Sequence, residues 1–575
     1  MTTVVNSDTD SLNVHSIKME IRVDPVDTNT SLLFEASTPI SFDTILQKCG
    51  GLGRFQLIHY FFMNLMPMSA AAITFYYVFA AAGIDHRCRL PENVWPNDNQ
   101  YHPINETHEL LINRYIPKTT SGTKWQQCAR YSTGNADDTL VTCPNGWAYD
   151  RSVFGYTFTE EANLVCGSEP KKSLLATLMQ CGCFPLLIIG SLADKFGRKK
   201  IITLVTIILF LACLITQAMI QWVPMSIDIK FGLLLLNQFA SGVNVVAYSL
   251  AFVLMLELTS SAHTNLAGNL ALISFTTGEG FVTLFAYLAK DWQILKWINT
   301  AFIGLVIPYL YFMPESPLYL YSKQDYARLE ALLRRIATTN KRKEADWYPA
   351  YQELVRNQST ASSDDKELSF FQKIRQILMH GSMIAKLLTC VLLSFTTLLL
   401  YFKISYGLAG MSISPYLGIL IGAAVEAAGY IVGSLLMSTK LARKGSFILM
   451  IALTIICVIL IPIISSRSSI ATVCIAQIGK FAISGTIVVS WIFVTELFPT
   501  AIRSGANGFF IAFGRIGAIV APIIDTSINK AYLPYTFYAS AGLAFIIVLL
   551  TLLLPETKSK SMDAVEDYAA DENKA

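Results

Sequence analysis

The chain has 575 residues, of which 53% are hydrophobic and only 15% charged, and its mean hydropathy is +0.46. Soluble globular proteins carry about 25% charge, so the length does not signify a string of soluble domains. A net charge of +3, with no basic patch interleaved with aromatics, leaves no footprint for a nucleic-acid partner.

Residues 1–54 are polar up to about Ser41 and lack the apolar stretch of a signal peptide. They read as a cytosolic leader, with the first span acting as its own insertion signal. That span, Phe55–Ala82, is the first of many apolar windows near the ~20 residues needed to cross about 30 Å of hydrocarbon as a helix. A polar loop over 83–172 follows. It holds Cys88, Cys128, Cys143 and Cys166 and the sequon Asn105-Glu-Thr107. Four cysteines and a glycosylation signal fit an oxidising, extracellular side, and three disulfide pairings remain open. The other seven cysteines lie mainly in or near apolar spans, as small buried hydrophobes.

Spans 2 and 3, Leu174–Ile189 and Ile201–Ile220, flank Gly190-Ser-Leu-Ala-Asp-Lys-Phe-Gly-Arg-Lys-Lys200. So short and basic a link belongs on the cytosolic side. Gly190 and Gly197 permit a tight turn, and Asp194 can pair with an Arg. Spans 4 to 6 are Phe231–Leu256, a segment within His263–Ala289, and Leu295–Met313, which ends at Pro314-Glu-Ser-Pro317. The stretch 318–383 is rich in Lys and Arg, has no cysteine and contains a helical-looking run, Tyr326–Ala337, so it reads as a cytosolic central loop. Six further spans complete the chain: Ile384–Tyr406, Pro415–Leu436, Phe447–Ile463, Ala471–Phe493, Gly505–Ile523 and Phe537–Leu554. The tail, 556–575, joins the leader in the cytosol.

Three landmarks recur about 240 residues apart. Pro314-Glu-Ser-Pro317 returns as Pro555-Glu-Thr-Lys558, Glu257 as Glu496, and the basic loop as Lys440-Leu-Ala-Arg-Lys444. An all-α membrane protein of twelve transmembrane helices in two pseudosymmetric six-helix halves, 55–317 and 384–555, is the fold these imply. Such halves commonly rock about a site near mid-membrane.

The loop at 190–200 resembles the signature between helices 2 and 3 of the major facilitator superfamily. More narrowly, the chain resembles the organic cation, anion and zwitterion transporters of solute carrier 22 type. That resemblance rests on Gly53-Arg-Phe-Gln56, His86-Arg-Cys-Arg89, Cys143-Pro-Asn-Gly-Trp-Ala-Tyr-Asp150, Asn163-Leu-Val-Cys166, Lys290-Asp-Trp292, Gly479-Lys-Phe481, Glu496-Leu-Phe-Pro-Thr-Ala-Ile-Arg503 and the two Pro-Glu motifs, in order along nearly the whole chain. There are departures: Gln238 stands where the family has Arg, and His263 lies near another usual Arg.

Ionisable side chains deep in spans are costly and tend to face a cavity or a partner. Here they are Glu279, Lys403, Glu426, Lys480 and Arg515. Arg515 suits a bidentate grip on a carboxylate and Glu426 an ammonium. The alternative is that Glu426 pairs with Arg515 or Lys480 and locks helices. Lys480 reads as structural and Lys403 as snorkelling outward. Glu279, between two glycines, serves helix packing or a coupling proton. Tyr248, Tyr401, Tyr406, Tyr430, Phe481 and Trp491 offer aromatic walls and cation–π contacts.

The resemblance implies an acid at the Arg515 position in cation carriers and Arg in anion and carnitine-type carriers. It also implies an aromatic at Tyr248 in cation carriers, and a Lys near Tyr430 in many anion carriers. The expected function is transport of small organic cations or zwitterions by alternating access in the plasma membrane, with organic anion transport the alternative. Asp194, Arg198, Glu257, Glu496 and Arg503 are the expected conformational latch. No catalytic cluster, phosphate-binding loop, metal site or cofactor is expected. Na⁺ or H⁺ coupling stays open.

Overall fold

A computed structural model describes residues 42–119, 124–135, 139–360, 381–411, 414–498, 500–529 and 531–557. The leader to residue 41, the stretch 361–380 and the tail from 558 lie outside the described residues, as does the side chain of Arg503. Inside a bilayer every backbone N–H and C=O must be satisfied within the protein, and the apolar runs do this as helices. A short helix α1 (Phe42–Lys48) leads into α2 (Arg54–Met63) and α3 (Leu65–Ala80), which together make the first span.

The outer loop is a small folded module. Strands β1 (His86–Cys88) and β4 (Trp147–Tyr149) pair antiparallel with Cys88 opposite Trp147, and β2 (Arg130–Tyr131) pairs with β3 (Leu140–Val141). Helix α4 (Glu106–Tyr115) starts at Asn105, whose exposed side chain accepts from the His108 amide at 2.8 Å. Helix α5 (Phe158–Glu161) closes the module. Cys88 is bonded to Cys143 and Cys128 to Cys166, one of the three pairings left open by sequence. Too small for a large apolar core, the module is organised around a buried ion pair. Arg87 grips Asp98 through both terminal nitrogens at 2.6 and 2.7 Å, and Leu90 N–H donates to the same carboxylate at 2.9 Å. Burial would raise the Asp98 pKa, but these bonds and the charges of Arg87 and His108 outweigh it and hold it below the usual carboxylate range.

Span 2 differs from expectation. It is not one helix from Leu174 but two, α6 (Ser173–Cys181) and α7 (Leu186–Phe196), interrupted at Gly182-Cys-Phe-Pro185. The cause is close packing plus a proline that cannot donate a backbone bond. A Cβ on Gly182 would lie 2.2 Å from the Phe239 carbonyl oxygen, and one on Gly242 would lie 1.9 Å from that of Met179. The chain then turns at Gly197, whose φ of +102° suits glycine. It continues as α8 (Arg198–Trp222), α9 (Ile227–Glu257), α10 (Thr264–Ala289) and α11 (Trp292–Phe312). Among the described residues eleven helices are long and apolar enough to cross a membrane. The broken α6–α7 pair carries the chain across between the outer module and the basic turn.

The central loop is helical where described: α12 (Pro317–Ser322), α13 (Tyr326–Thr339) and α14 (Glu344–Thr360). Ser316 caps α12 by accepting from the Tyr319 amide, which gives the Pro-Glu-Ser-Pro motif its local role. Asn340, just past α13, clamps this module to the first span. Its amide donates to the Cys49 carbonyl and the Gln56 side chain at 3.1 and 3.0 Å, and its carbonyl accepts from Phe55 N–H at 2.9 Å.

The remaining helices are α15 (Gly381–Met411), α16 (Pro415–Ser438), α17 (Ala442–Ser465), α18 (Ser469–Glu496), α19 (Thr500–Ser527) and α20 (Leu533–Leu553). Separate apolar cores form within each set of spans, and the sets join through α10 against α16 and α6 against α19.

Candidate functional site

The two ends of the bundle carry matching ion networks. In the first half Arg198 Nε bonds Glu257 at 2.7 Å, and Arg198 also lies 3.2 Å from Asp194. Glu315 accepts from the backbone amides of Lys199 and Ser316. In the second half Arg443 bonds Glu496 at 3.0 Å, while Glu556 accepts from the amides of Arg443 and Lys444. The repeat thus has a physical content: each acid of a Pro-Glu motif caps the helix that opens after a basic turn. The partner of Glu496 is Arg443, which sequence reading had placed only within a degenerate loop.

At mid-bundle, Glu426 on α16 is fully buried. Its Oε1 accepts from the hydroxyls of Tyr401 at 2.9 Å and Tyr430 at 2.7 Å, and its Oε2 lies 3.2 Å from Lys480 Nζ. Lys480 on α18 also bonds Glu279 Oε1 on α10 at 2.5 Å. Glu426 therefore pairs with Lys480 rather than Arg515. A single lysine is shared by two acids, and Glu279 Oε2 is buried with no hydrogen-bond partner. The Phe75 ring centroid sits 5.5 Å from the ammonium. Gly278 lets α10 pack directly against the Met68 backbone of α3, and the Glu279–Lys480 bond ties the two halves together.

Arg515 on α19 has a different environment. Its Nη1 donates to Gln180 Oε1 of α6 at 3.3 Å, its Nε is buried without a hydrogen-bond partner, and no carboxylate pairs with it among the described residues. Tyr248 lies close enough to interact with both the Arg515 charge and the Tyr430 hydroxyl. Tyr248 packs on Phe275 with centroids 6.3 Å apart, and Trp491 meets Phe252 edge-on at 6.1 Å.

Lys403 does not snorkel. Its side chain is 1% exposed and bonds Asp525 of α19 at 2.6 Å, with Nζ 4.5 Å from the Phe537 ring centroid. Asp525 lies just beyond the span boundary drawn from hydropathy and so escaped notice. Lys296 was also missed, at the polar end of span 6. It is fully buried, donates to Ser241 Oγ at 3.2 Å and lies 4.6 Å from the Tyr76 ring centroid. Its position two residues inside the expected span was the available signal.

The halves also meet near both membrane faces. At the outer end Tyr416 of α16 stacks on Phe79 at 5.5 Å and donates to the Val153 carbonyl at 3.2 Å. Towards the basic face Asn269 of α10 donates to Ser434 of α16 at 3.0 Å. The two sets of spans thus touch at both ends and in the middle.

Residues 123–568 match the family model for the sugar (and other) transporters. Organic cation transporter 1 of Caenorhabditis elegans is 24% identical over 542 residues, covering 92% of this chain and 88% of that protein. Solute carrier family 22 member 16 of Xenopus laevis is 26% identical over 547 residues, covering 91% and 93%. Solute carrier family 22 member 7 of Mus musculus is 25% identical over 553 residues, covering 92% and 97%. The inward-open structure of the xylose transporter from E. coli superposes with a TM-score of 0.57 at 13% identity, over 89% of this chain and 99% of that one. This likeness carries the fold alone. The chain belongs to the sugar (and other) transporter family.

Proposed function

We propose that this transporter carries small organic ions bearing a carboxylate, with zwitterions that also bear an ammonium the best fit, by alternating access at the plasma membrane. The observation that carries this reading is Arg515, an interior guanidinium without a carboxylate partner among the described residues. A substrate carboxylate supplies the missing charge and a bidentate geometry. The Glu279–Lys480–Glu426 cluster, with two acids to one lysine, favours a cationic group at the opposite pole. A plain amine fits less well, because Glu426 Oε1 already accepts from two tyrosine hydroxyls and Oε2 lies 3.2 Å from the Lys480 ammonium. The same engagement of Glu426 favours a second reading, an organic anion with no ammonium.

The accompanying proposals are that residues 55–317 and 384–555 rock as two halves, with both termini cytosolic, and that Arg198–Glu257 and Arg443–Glu496 latch the inner side. Asn105, exposed in the outer module, is the proposed glycosylation site.

The test is uptake into expressing cells of a quaternary amine, a carnitine-like zwitterion and an aromatic carboxylate, with Arg515→Ala and Glu426→Gln alongside. Zwitterion uptake lost in both variants supports the two-pole site. Carboxylate uptake that needs Arg515 and ignores Glu426 moves the chain to the anion reading, and amine uptake indifferent to Arg515 refutes both.

A further inference from the structure

Two adjoining cavities on the face that carries the basic turn have no part in the transport site. The larger, about 1220 Å³, lies between the start of α8, the end of α11 and the helices α12 and α13. Five basic side chains line it, Lys199, Lys200, Lys323, Arg328 and Arg335, against two acids, Glu315 and Asp325. The acids are already committed. Glu315 accepts from two backbone amides, and Asp325 pairs with Arg328 at 3.5 Å. Lys199 donates to the Tyr311 carbonyl, leaving Lys200 and Arg335 exposed and without a carboxylate partner among the described residues.

The second cavity, about 620 Å³, shares Arg335 and Phe312 with the first and is otherwise largely apolar. Ile58, Phe62, Leu305 and Phe312 border it, and each is exposed on the outside of the bundle at the level where α2 and α11 leave the apolar layer. A cationic groove opening sideways into an apolar trough is complementary to one kind of molecule, an anion with a hydrocarbon tail attached.

We propose that the paired cavities bind an anionic phospholipid with a phosphorylated headgroup, its phosphates between Lys200 and Arg335 and an acyl chain along Phe312, Leu305 and Ile58. The lipid joins the ends of α8 and α11 to α13 and so tethers the helical module of the basic face to the inner leaflet. The trough separates this occupant from a soluble phosphate compound, which would use the groove alone. Juxtamembrane cations attract anionic lipid additively, so two of them matter measurably.

The experiment uses the purified full-length chain in mixed micelles, titrated with a fluorescent-tailed phosphatidylinositol phosphate, with phosphatidylcholine as the neutral lipid and soluble inositol bisphosphate as competitor. The wild-type chain prefers the phosphoinositide to phosphatidylcholine. The double variant Lys200→Ala/Arg335→Ala binds it about thirty-fold more weakly, roughly five- to sixfold for each cation removed. Phe312→Ala weakens the lipid but not the soluble headgroup. Lys341→Ala/Arg342→Ala, the same charge change on an exposed turn of the same module, leaves binding unchanged. Equal thermal stability of the variants shows that the fold is intact, and a variant that fails this check is replaced by Lys200→Gln/Arg335→Gln. Equal weakening in the control variant overturns the proposal by making the attraction non-specific. So does a soluble headgroup that binds as tightly as the lipid, or the absence of preference over phosphatidylcholine.

Discussion

Replacing Lys480 with Met tests whether the buried cluster is held by charge balance. Lys480 Nζ lies 2.5 Å from Glu279 and 3.2 Å from Glu426, and all three side chains are shielded from solvent. Without the lysine, the one carboxylate that its charge balanced is left with no counter-charge and must protonate or attract water. Protonating a carboxylate of ordinary pKa near 4.3 costs about 4 kcal/mol at about pH 7.4. That matches the ~3–5 kcal/mol expected when one partner of a buried ion pair is removed. Glu279→Gln leaves Lys480 balanced by Glu426 and should cost only about 1 kcal/mol, the scale of one hydrogen bond. The loss in Lys480→Met should also shrink as pH falls, by about 1.4 kcal/mol per unit for each carboxyl that protonates. The assay is heat challenge of detergent-solubilised protein followed by fluorescence-detected size exclusion, at about pH 7.4 and about pH 6. Equal loss in the two variants, independent of pH, refutes the charge-balance argument.

The outer module should loosen on mild acidification. Burial lowers the pKa values of His86 and His108 below the ordinary 6.5, so their contribution is complete above about pH 6.5 and is lost as pH falls through the depressed values. Asp98, also depressed, keeps its contribution until about pH 3.8 and below, so hydrogen exchange across 86–149 should accelerate at about pH 5 after correction for intrinsic rate, and should not change if the histidines are indifferent. Gly242→Ala should destabilise by several kcal/mol, beyond the ~1–3 kcal/mol of ordinary overpacking, because its Cβ meets backbone rather than a movable side chain. Unchanged expression and melting would show that α6 and α9 can separate freely. Tyr416→Ala removes the stack on Phe79 and a hydrogen bond, about 1–3 kcal/mol together, and should raise labelling of a cysteine placed near the outer mouth severalfold. Labelling equal to wild type would remove Tyr416 from the outer seal.

Hydropathy made most of the bundle legible, because a spanning helix must be apolar over nearly its whole length whatever it packs against. The repeated Pro-Glu motifs and the acids at 257 and 496 were legible for a similar reason: they cap and pair within a few turns of a helix end. The pairing of Glu279 with Lys480 was not. The two are 201 positions apart and belong to different halves, so only the packing of α10 against α16, and of α16 against α18, brings them together. The break in span 2 was signalled by Gly182 and Pro185, but a smooth apolar window passed over both. Lys403 was misread because its partner, Asp525, belongs to another helix and looks like the start of a loop. The aromatic residues were recognisable as a set, but which of them meet one another depends on helix rotation, which periodicity in an all-apolar span scarcely records.

The clamp at Asn340 gives the first set of spans an attachment that the second lacks among the described residues. In the membrane they echo one another down to the acids that cap their basic turns. Below it, α13 and α14 are fastened by three short bonds to the entry of the first span, whereas α20 ends at Leu553 and Glu556 folds straight back onto its own turn. On the proposed rocking of the two sets of spans, α13 and α14 travel with the first span. A load placed on them then bears on that span, at a distance from the interior charges of Glu426 and Arg515.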